Sequence, residues 1–182
     1  MSEVVRLTFV SHAMTDAVAA GRFPTDEGVN ATGRAQLGGL DLGSAQRALC
    51  GPEARTRQTA ELLGLHAATE PRLADLDFGR WRGEVLGRVL PAELAVWLTD
   101  PTQAPHGGET VVDLIDRVRG WMESLTSERT RVVAVTHPAV IRAAIVAVLD
   151  APPKSFWRID VAPASRTVMH FRGHAWTLRS NR

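Results

Sequence analysis

Two histidines stand in matching surroundings. Phe9-Val10-Ser11-His12 and Ala134-Val135-Thr136-His137 each run from an apolar, β-branched stretch through a hydroxyl residue into histidine and then a turn. A lone histidine after a strand is ordinarily structural. Two in the same grammar point to one shared site, because the ligand crevice of a parallel sheet lies beyond the carboxyl ends of its strands. An imidazole there can attack as a nucleophile, serve as acid or base, or donate a hydrogen bond to an anion.

The elements needed to carry this pair are legible. Residues 4–10 and 131–136 read as buried strands, and residues 47–51 as a third, shorter one. A helix opens near residue 32, capped by Thr32 or Asn30. Pro52-Glu53 starts the next helix, since proline suits the first helical position and an acid the positive dipole end. That helix runs to about residue 63, with Gly64 as its stop. Residues 66–83 read as irregular, 91–100 as helix and 101–108 as a polar, turn-rich loop. Apolar Val111, Leu114, Ile115, Val118, Trp121, Met122 and Leu125 recur at helical spacing over 110–125, and residues 139–149 form a mostly apolar helix after the His137-Pro138 turn. Alternating strands and helices predict an α/β sandwich with a largely parallel sheet. Residues 156–161, 167–171 and 176–178 read as edge strands, at least partly antiparallel.

Composition narrows the function classes. The chain has 182 residues, 45% of them hydrophobic and 23% charged, which suits one globular domain. Lys154 is the only lysine, yet the arginines are scattered among acids, so nucleic acid is not expected as a partner. Cys50 is the only cysteine, which excludes an intrachain disulfide and permits a reducing compartment. Met1-Ser2-Glu3 begins no basic leader and no window is apolar enough for a membrane span, so no membrane association and a cytoplasmic location are expected.

Leu7 to Thr15, Thr32 to Gln36, Gly51 to Ala60, Leu73 to Gly83, Gly107 to Thr110 and Val135 to His137, in that order, resemble six segments of the histidine phosphatase superfamily, the phosphoglycerate mutase-like enzymes. Leu7 to Thr15 is similar to the family's opening strand and Arg-His-Gly-Glu-Thr, and Thr32-Gly33-Arg34-Ala35-Gln36 to its Glu-x-Gly-Arg-x-Gln. Gly51-Pro52-Glu53-Ala54-Arg55-Thr56-Arg57-Gln58-Thr59-Ala60 resembles Ser-Pro-x-x-Arg-x-x-Gln-Thr-Ala, and the stretch from Leu73 to Gly83 resembles Leu-x-Glu-x-x-x-Gly-x-Trp-x-Gly. Gly107-Gly108-Glu109-Thr110 and Val135-Thr136-His137 match the remaining two, and Phe156-Trp157 with Pro163-Ala164-Ser165 resembles the tail of the small phosphatases. The resemblance implies a three-layer α/β/α sandwich with a mostly parallel sheet over residues 1–182, and a lid-like excursion at about 80–108. It implies a metal-independent phosphatase, without cofactor, acting on a small phosphorylated substrate. In this scheme His12 attacks to form a phosphohistidine, Arg55 and His137 hold phosphoryl oxygens with help from Ser11 and Thr15, and Asp75 is the acid and base. Asp77 competes with Asp75 for that role.

The chain departs from the pattern where it matters most. Ser11 stands in place of the family's first arginine and Ala13 in place of its glycine, so a neutral donor replaces a charged fork and the site should be weaker. Arg22, in the loop before Gly33, is a candidate to supply the missing charge. A non-catalytic relative that binds a phosphorylated ligand, a mutase, and an Asp75/Asp77 metal site with a histidine are the rival readings. His66, His106, His170 and His174 read as surface or edge residues, His106 near the mouth, and the tryptophans as core.

Overall fold

The computed structural model describes residues 4–127 and 130–180; Met1 to Glu3, where a leader would begin, lie outside them. Its centre is a six-stranded mixed sheet. In chain order the elements are β1 (Val5–Ser11), α1 (Asp16–Ala19), α2 (Ala31–Gln36), β2 (Arg47–Cys50), α3 (Ala54–Leu62), β3 (Ala68–Thr69), α4 (Pro91–Thr99), α5 (Val111–Ser124), β4 (Arg131–Thr136), α6 (Pro138–Val148), β5 (Arg166–Phe171) and β6 (Trp176–Arg179). The sheet order is β3-β2-β4-β1-β5-β6. The first four run parallel, while β5 and β6 are antiparallel to their neighbours.

Strand alternation sorts the core onto two faces. Leu7, Phe9, Val132 and Ala134 face the larger cluster, to which α5 contributes Val111, Leu114, Ile115, Val118, Trp121 and Met122 and α6 contributes Val140, Ile141, Ala143 and Ala144. Val10, Val133 and Val135 face the other way, onto Cys50 and Ala60 of α3. Each buried valine, leucine or isoleucine contributes roughly 1.5–3 kcal/mol, so α5 is held chiefly by its apolar stripe. Thr110 caps it, accepting from the Asp113 amide at 3.0 Å.

Three sequence expectations are corrected. Residues 156–161 are not a strand: Pro153–Arg158 is a 3₁₀ helix that follows Pro152 and buries Phe156. Residues 167–171 belong to a strand, but β5 lies inside the sheet between β1 and β6 rather than at an edge. The irregular stretch 66–83 contains β3 and the 3₁₀ turns Pro71–Leu73 and Gly79–Trp81. Asn30, not Thr32, caps α2, accepting from the Gly33 amide at 2.9 Å. Gly64 ends α3 with φ of 70°.

Candidate active site

β1 and β4 are adjacent, parallel and in register, with Ser11 opposite Thr136. The residues that follow must therefore emerge side by side. The His12 amide donates to the Thr136 carbonyl at 2.8 Å, and the two imidazole centroids are 5.3 Å apart. β2 ends level with them, Cys50 opposite Val135, and leads into α3, which delivers Arg55 from its first turn. Asp75 arrives on the loop after Leu73.

The rings are held differently. His12 Nδ1–H donates to the Ala13 carbonyl at 2.9 Å, so Nε2 is the nitrogen that carries a free lone pair. Burial, reinforced by the fields of His137 and Arg55, lowers the His12 pKa to about 4, which leaves the ring neutral and nucleophilic at pH 7. His137 Nε2 lies 2.7 Å from Glu53 Oε2. Burial alone would raise the Glu53 carboxyl, but its hydrogen bond to His137 and that residue's charge hold it down at about 2. An ionised carboxylate only accepts, so Nε2 of His137 is the donor. Its Nδ1 is then turned to the site, 3.4 Å from Asp75 Oδ2, buried and without a hydrogen-bond partner.

Arg55 is buried, its Nη2 donating to Asp75 Oδ2 at 2.7 Å and its Nη1 to the Thr25 carbonyl at 3.1 Å; Glu27 is 4.0 Å away. Burial pushes the Asp75 carboxyl up, but His137, Arg55 and His12 outweigh it and hold the group below its ordinary value. Two cavities adjoin here. One, of about 150 Å³, is lined by His12, Arg55, Asp75, Arg142 and the apolar Val18, Pro24, Phe78, Pro138 and Ala139. The other, of about 290 Å³, shares Pro24, Arg55, Asp75 and Phe78 with it and adds Asp26, Glu53, Asp77 and Arg82.

The supporting hydrogen bonds account for the motif spacing. Thr59 donates to the Arg55 carbonyl at 2.7 Å and accepts from the Ala13 amide at 3.0 Å, while Gln58 accepts from Val29 at 2.8 Å. The Gln-Thr pair thus fastens the His12 loop to the helix that carries Arg55. Arg117 of α5 is paired with Glu109 at 2.8 Å and donates to the carbonyls of Arg72 and Ala74, which fixes the 3₁₀ turn that leads to Asp75. Ala13, in place of the family's glycine, is not among the residues with positive φ, so its Cβ meets no backbone strain there.

The structure thus brings together His12, Arg55, Asp75 and His137. Ser11 is fully buried beside them, and its Oγ has no hydrogen-bond partner. The Thr15 hydroxyl accepts from the Val18 amide at 3.2 Å and donates to Glu27 at 3.3 Å, and Thr15 lines neither cavity. Arg22 is exposed and its backbone pairs with Val85. Asp77 sits on the outer wall, bound to the Gly79 amide at 2.9 Å and to Arg82 at 2.8 Å. Among the described residues, no three His, Cys, Asp or Glu side chains gather as a metal site, and no helix is long and apolar enough to cross a membrane.

Sequence reasoning missed two residues. Glu53 reads as a helix-dipole acid, but it binds both His137 and the Asp75 amide, the latter at 2.9 Å. Arg142 is the lone charge in the apolar helix Pro138–Val148, which is itself the available signal. His106 is not a surface residue. It is 1% exposed, packed against Phe78, Trp81 and Trp97 with ring centroids 6.1, 5.1 and 6.3 Å away, and burial lowers its pKa.

The sequence pattern "Histidine phosphatase superfamily (branch 1)" matches residues 7–182. Phosphoserine phosphatase 1 of Hydrogenobacter thermophilus is 27% identical over 183 residues, covering 92% of this chain and 87% of that protein. A bifunctional protein of Mycobacterium tuberculosis is 26% identical over 182 residues, and the alignment spans only 50% of its length. A solved mycobacterial glucosyl-3-phosphoglycerate phosphatase with VO3 superimposes with a TM-score of 0.82 at 27% identity, covering 96% of each chain.

Proposed function

The chain belongs to the histidine phosphatase superfamily, and from that premise we propose that it is a metal-independent phosphatase that hydrolyses small phosphorylated metabolites through a phosphohistidine at His12. The observation that carries this reading is the geometry of His12, its Nδ1 bonded to the Ala13 carbonyl and its Nε2 free, beside the buried Arg55 guanidinium and the Nδ1 of His137, which has no hydrogen-bond partner. The Nε2 lone pair forms the P–N bond as the ester P–O bond breaks. Arg55 and, when protonated, His137 Nδ1–H bind the phosphoryl oxygens on which charge is spread. The leaving alkoxide takes its proton from Asp75. Asp75 is ionised before substrate arrives, so the proton must come with the substrate: the phosphoryl charge offsets Arg55 and His137 and favours the protonated carboxyl. Water then attacks phosphorus, the P–N bond breaks back to His12, and the water's proton returns to Asp75.

Rapid quench with labelled substrate is expected to trap an acid-labile, base-stable phosphoenzyme that His12→Ala lacks. Wild-type turnover by His12→Ala would overturn the reading. Because the buried Arg55 guanidinium supplies positive charge without a metal, hydrolysis is expected to persist in EDTA. Loss on chelation with recovery on adding a divalent cation would assign the charge to a metal instead.

A further inference from the structure

β1 carries Arg6 between two other basic residues. The sheet register sets Arg6 opposite Arg131 on β4 and opposite His170 on β5. Alternate residues of a strand share a face, so all three lie on the side of the sheet where Val10, Val133 and Val135 pack toward α3. Arg172 follows two residues after His170, and Arg179 of β6 pairs with Val168, the next residue of β5 on that side. Neighbouring strands lie about 4.8 Å apart, which puts the backbones of Arg131, Arg6 and His170 within roughly 10 Å. Like charges placed directly opposite one another destabilise a sheet. The four arginines are exposed, and among the described residues no carboxylate lies within 4.0 Å of any of them, whereas Arg55, Arg72, Arg80, Arg82, Arg117 and Arg119 each have one. Arg131 Nη1 finds only a neutral partner, the Ser44 hydroxyl at 2.7 Å. His170 Nε2 is buried without a hydrogen-bond partner, and burial with the fields of Arg179, Arg6 and Arg172 disfavours its proton.

This group stands apart from the catalytic cavity. His12 lies six residues past Arg6, about 20 Å along β1 at 3.3 Å per residue, at the other end of the sheet. With a formal charge of only +1 on the whole chain, the group is a local concentration of positive field and not part of a broadly basic surface, so it fits a compact anion better than a polymer backbone. Guanidinium forks match phosphoryl oxygens, and several of them within roughly 10 Å call for more than one negative charge. We infer that this face is a second anion site, and that its ligand is a compact polyanion of linked phosphoryl groups, held by Arg6 and Arg179 on the strands flanking His170 with Arg131 and Arg172 beside them. An inorganic phosphate chain and the phosphate chain of a nucleotide share that chemistry.

Methylenediphosphonate, two phosphoryl groups on a bridge that water cannot cleave, is the probe. Added to wild type, it is expected to shift the His170 ring signals in NMR saturably and to raise the pH at which that ring titrates, because bound negative charge favours the imidazolium. Methylphosphonate, with one phosphoryl group, should need a concentration about tenfold higher or more for the same shift, and added salt should weaken both. Arg6→Gln and Arg179→Gln should each weaken the diphosphonate by about tenfold or more, the worth of a charged contact, while turnover of p-nitrophenyl phosphate stays at the wild-type value. Adenosine α,β-methylene diphosphate separates the two sources. Tighter binding than the free diphosphonate identifies a nucleotide, and equal or weaker binding a free phosphate chain. A diphosphonate that moves only the His12 and His137 signals, or that binds both variants as it binds wild type, would overturn the inference. So would a single-stranded oligonucleotide that shifts His170 at a lower concentration of phosphate than the diphosphonate requires, which would assign the face to nucleic acid.

Discussion

At the residue scale, the division of labour between Asp75 and Glu53 follows from what each carboxylate touches. Asp75 lines both cavities and faces Arg55 and His137, whereas Glu53 grips the far nitrogen of His137 and the backbone of Asp75. Removing the acid should matter in proportion to how much the departing oxygen requires a proton. Asp75→Asn is therefore expected to slow esters of aliphatic alcohols at least tenfold more than p-nitrophenyl phosphate. Equal losses, or a larger effect from Asp77→Asn, would move the role to Asp77. Glu53→Gln should act otherwise, because it loosens His137 whatever the leaving group. A loss of about 10- to 150-fold in kcat/KM, the worth of a hydrogen bond to a charged group, is expected on both ester types. A loss confined to aliphatic esters would contradict the positioning role of Glu53. The sequence revealed His12 and His137 through their repeated context and Arg55 and Asp75 through motif order. Glu53 stayed hidden because an acid at a helix start already has an adequate local explanation, and nothing in one dimension shows that its carboxylate crosses to another strand's histidine.

At the scale of elements, strands β1, β2 and β4 and helices α3, α5 and α6 were readable because each is either a β-branched run or an apolar stripe of helical period. What escaped was set by tertiary contacts. β3 is two exposed residues that extend the sheet beside β2, and the 3₁₀ turn over Pro153–Arg158 is stabilised by the burial of Phe156 rather than by any local pattern. His106 is misplaced for the same reason: its aromatic neighbours are Phe78 and Trp81, at the two ends of one 3₁₀ turn, and Trp97 of α4. The Thr-Gly-Arg motif shows the reverse case, a sequence signal whose reason is spatial. A Cβ on Gly33 would lie 2.7 Å from the Met14 amide nitrogen, so α2 can pack against the His12 loop only with glycine at its first turn. Gly33→Ala raises helix propensity by about 1 kcal/mol, but overpacking costs about 1–3 kcal/mol, and backbone cannot rotate aside as a side chain would. Net destabilisation, seen as a Tm lower by a few degrees, is expected together with reduced turnover. A variant as stable and as active as wild type would show that α2 does not brace the loop.

For the whole molecule, assembling the site has a consequence for stability against acid. His12 has a pKa of about 4 in the fold, against about 6.5 in an unfolded chain. Above pH 6.5 neither state binds the proton and the difference is silent. Between 6.5 and 4 the unfolded chain takes the proton and the native ring does not, so stability falls with pH and the loss saturates below 4. At about 1.4 kcal/mol per unit, a gap of this size is on the order of 3 kcal/mol. Burial also lowers the pKa of His106 and of His170, and both add to the loss of stability that begins as pH falls through 6.5. Glu53 has the opposite charge but the same sign of effect. Its carboxylate, held at about 2 by His137, contributes stability that is complete above the unfolded value near 4.5 and is lost as pH falls toward 2. Against a total of about 5–15 kcal/mol for a typical domain, the two together are decisive. Urea denaturation is therefore expected to show a midpoint that is level above pH 7, declines from about pH 6.5, and declines further below 4.5. His12→Phe should flatten the first decline in part, leaving the share of His106 and His170, and should leave the second intact. A wild-type midpoint that stays level from pH 7 to 4.5 would mean that His12 is not held neutral by its surroundings, and the nucleophile would then need activation from the substrate.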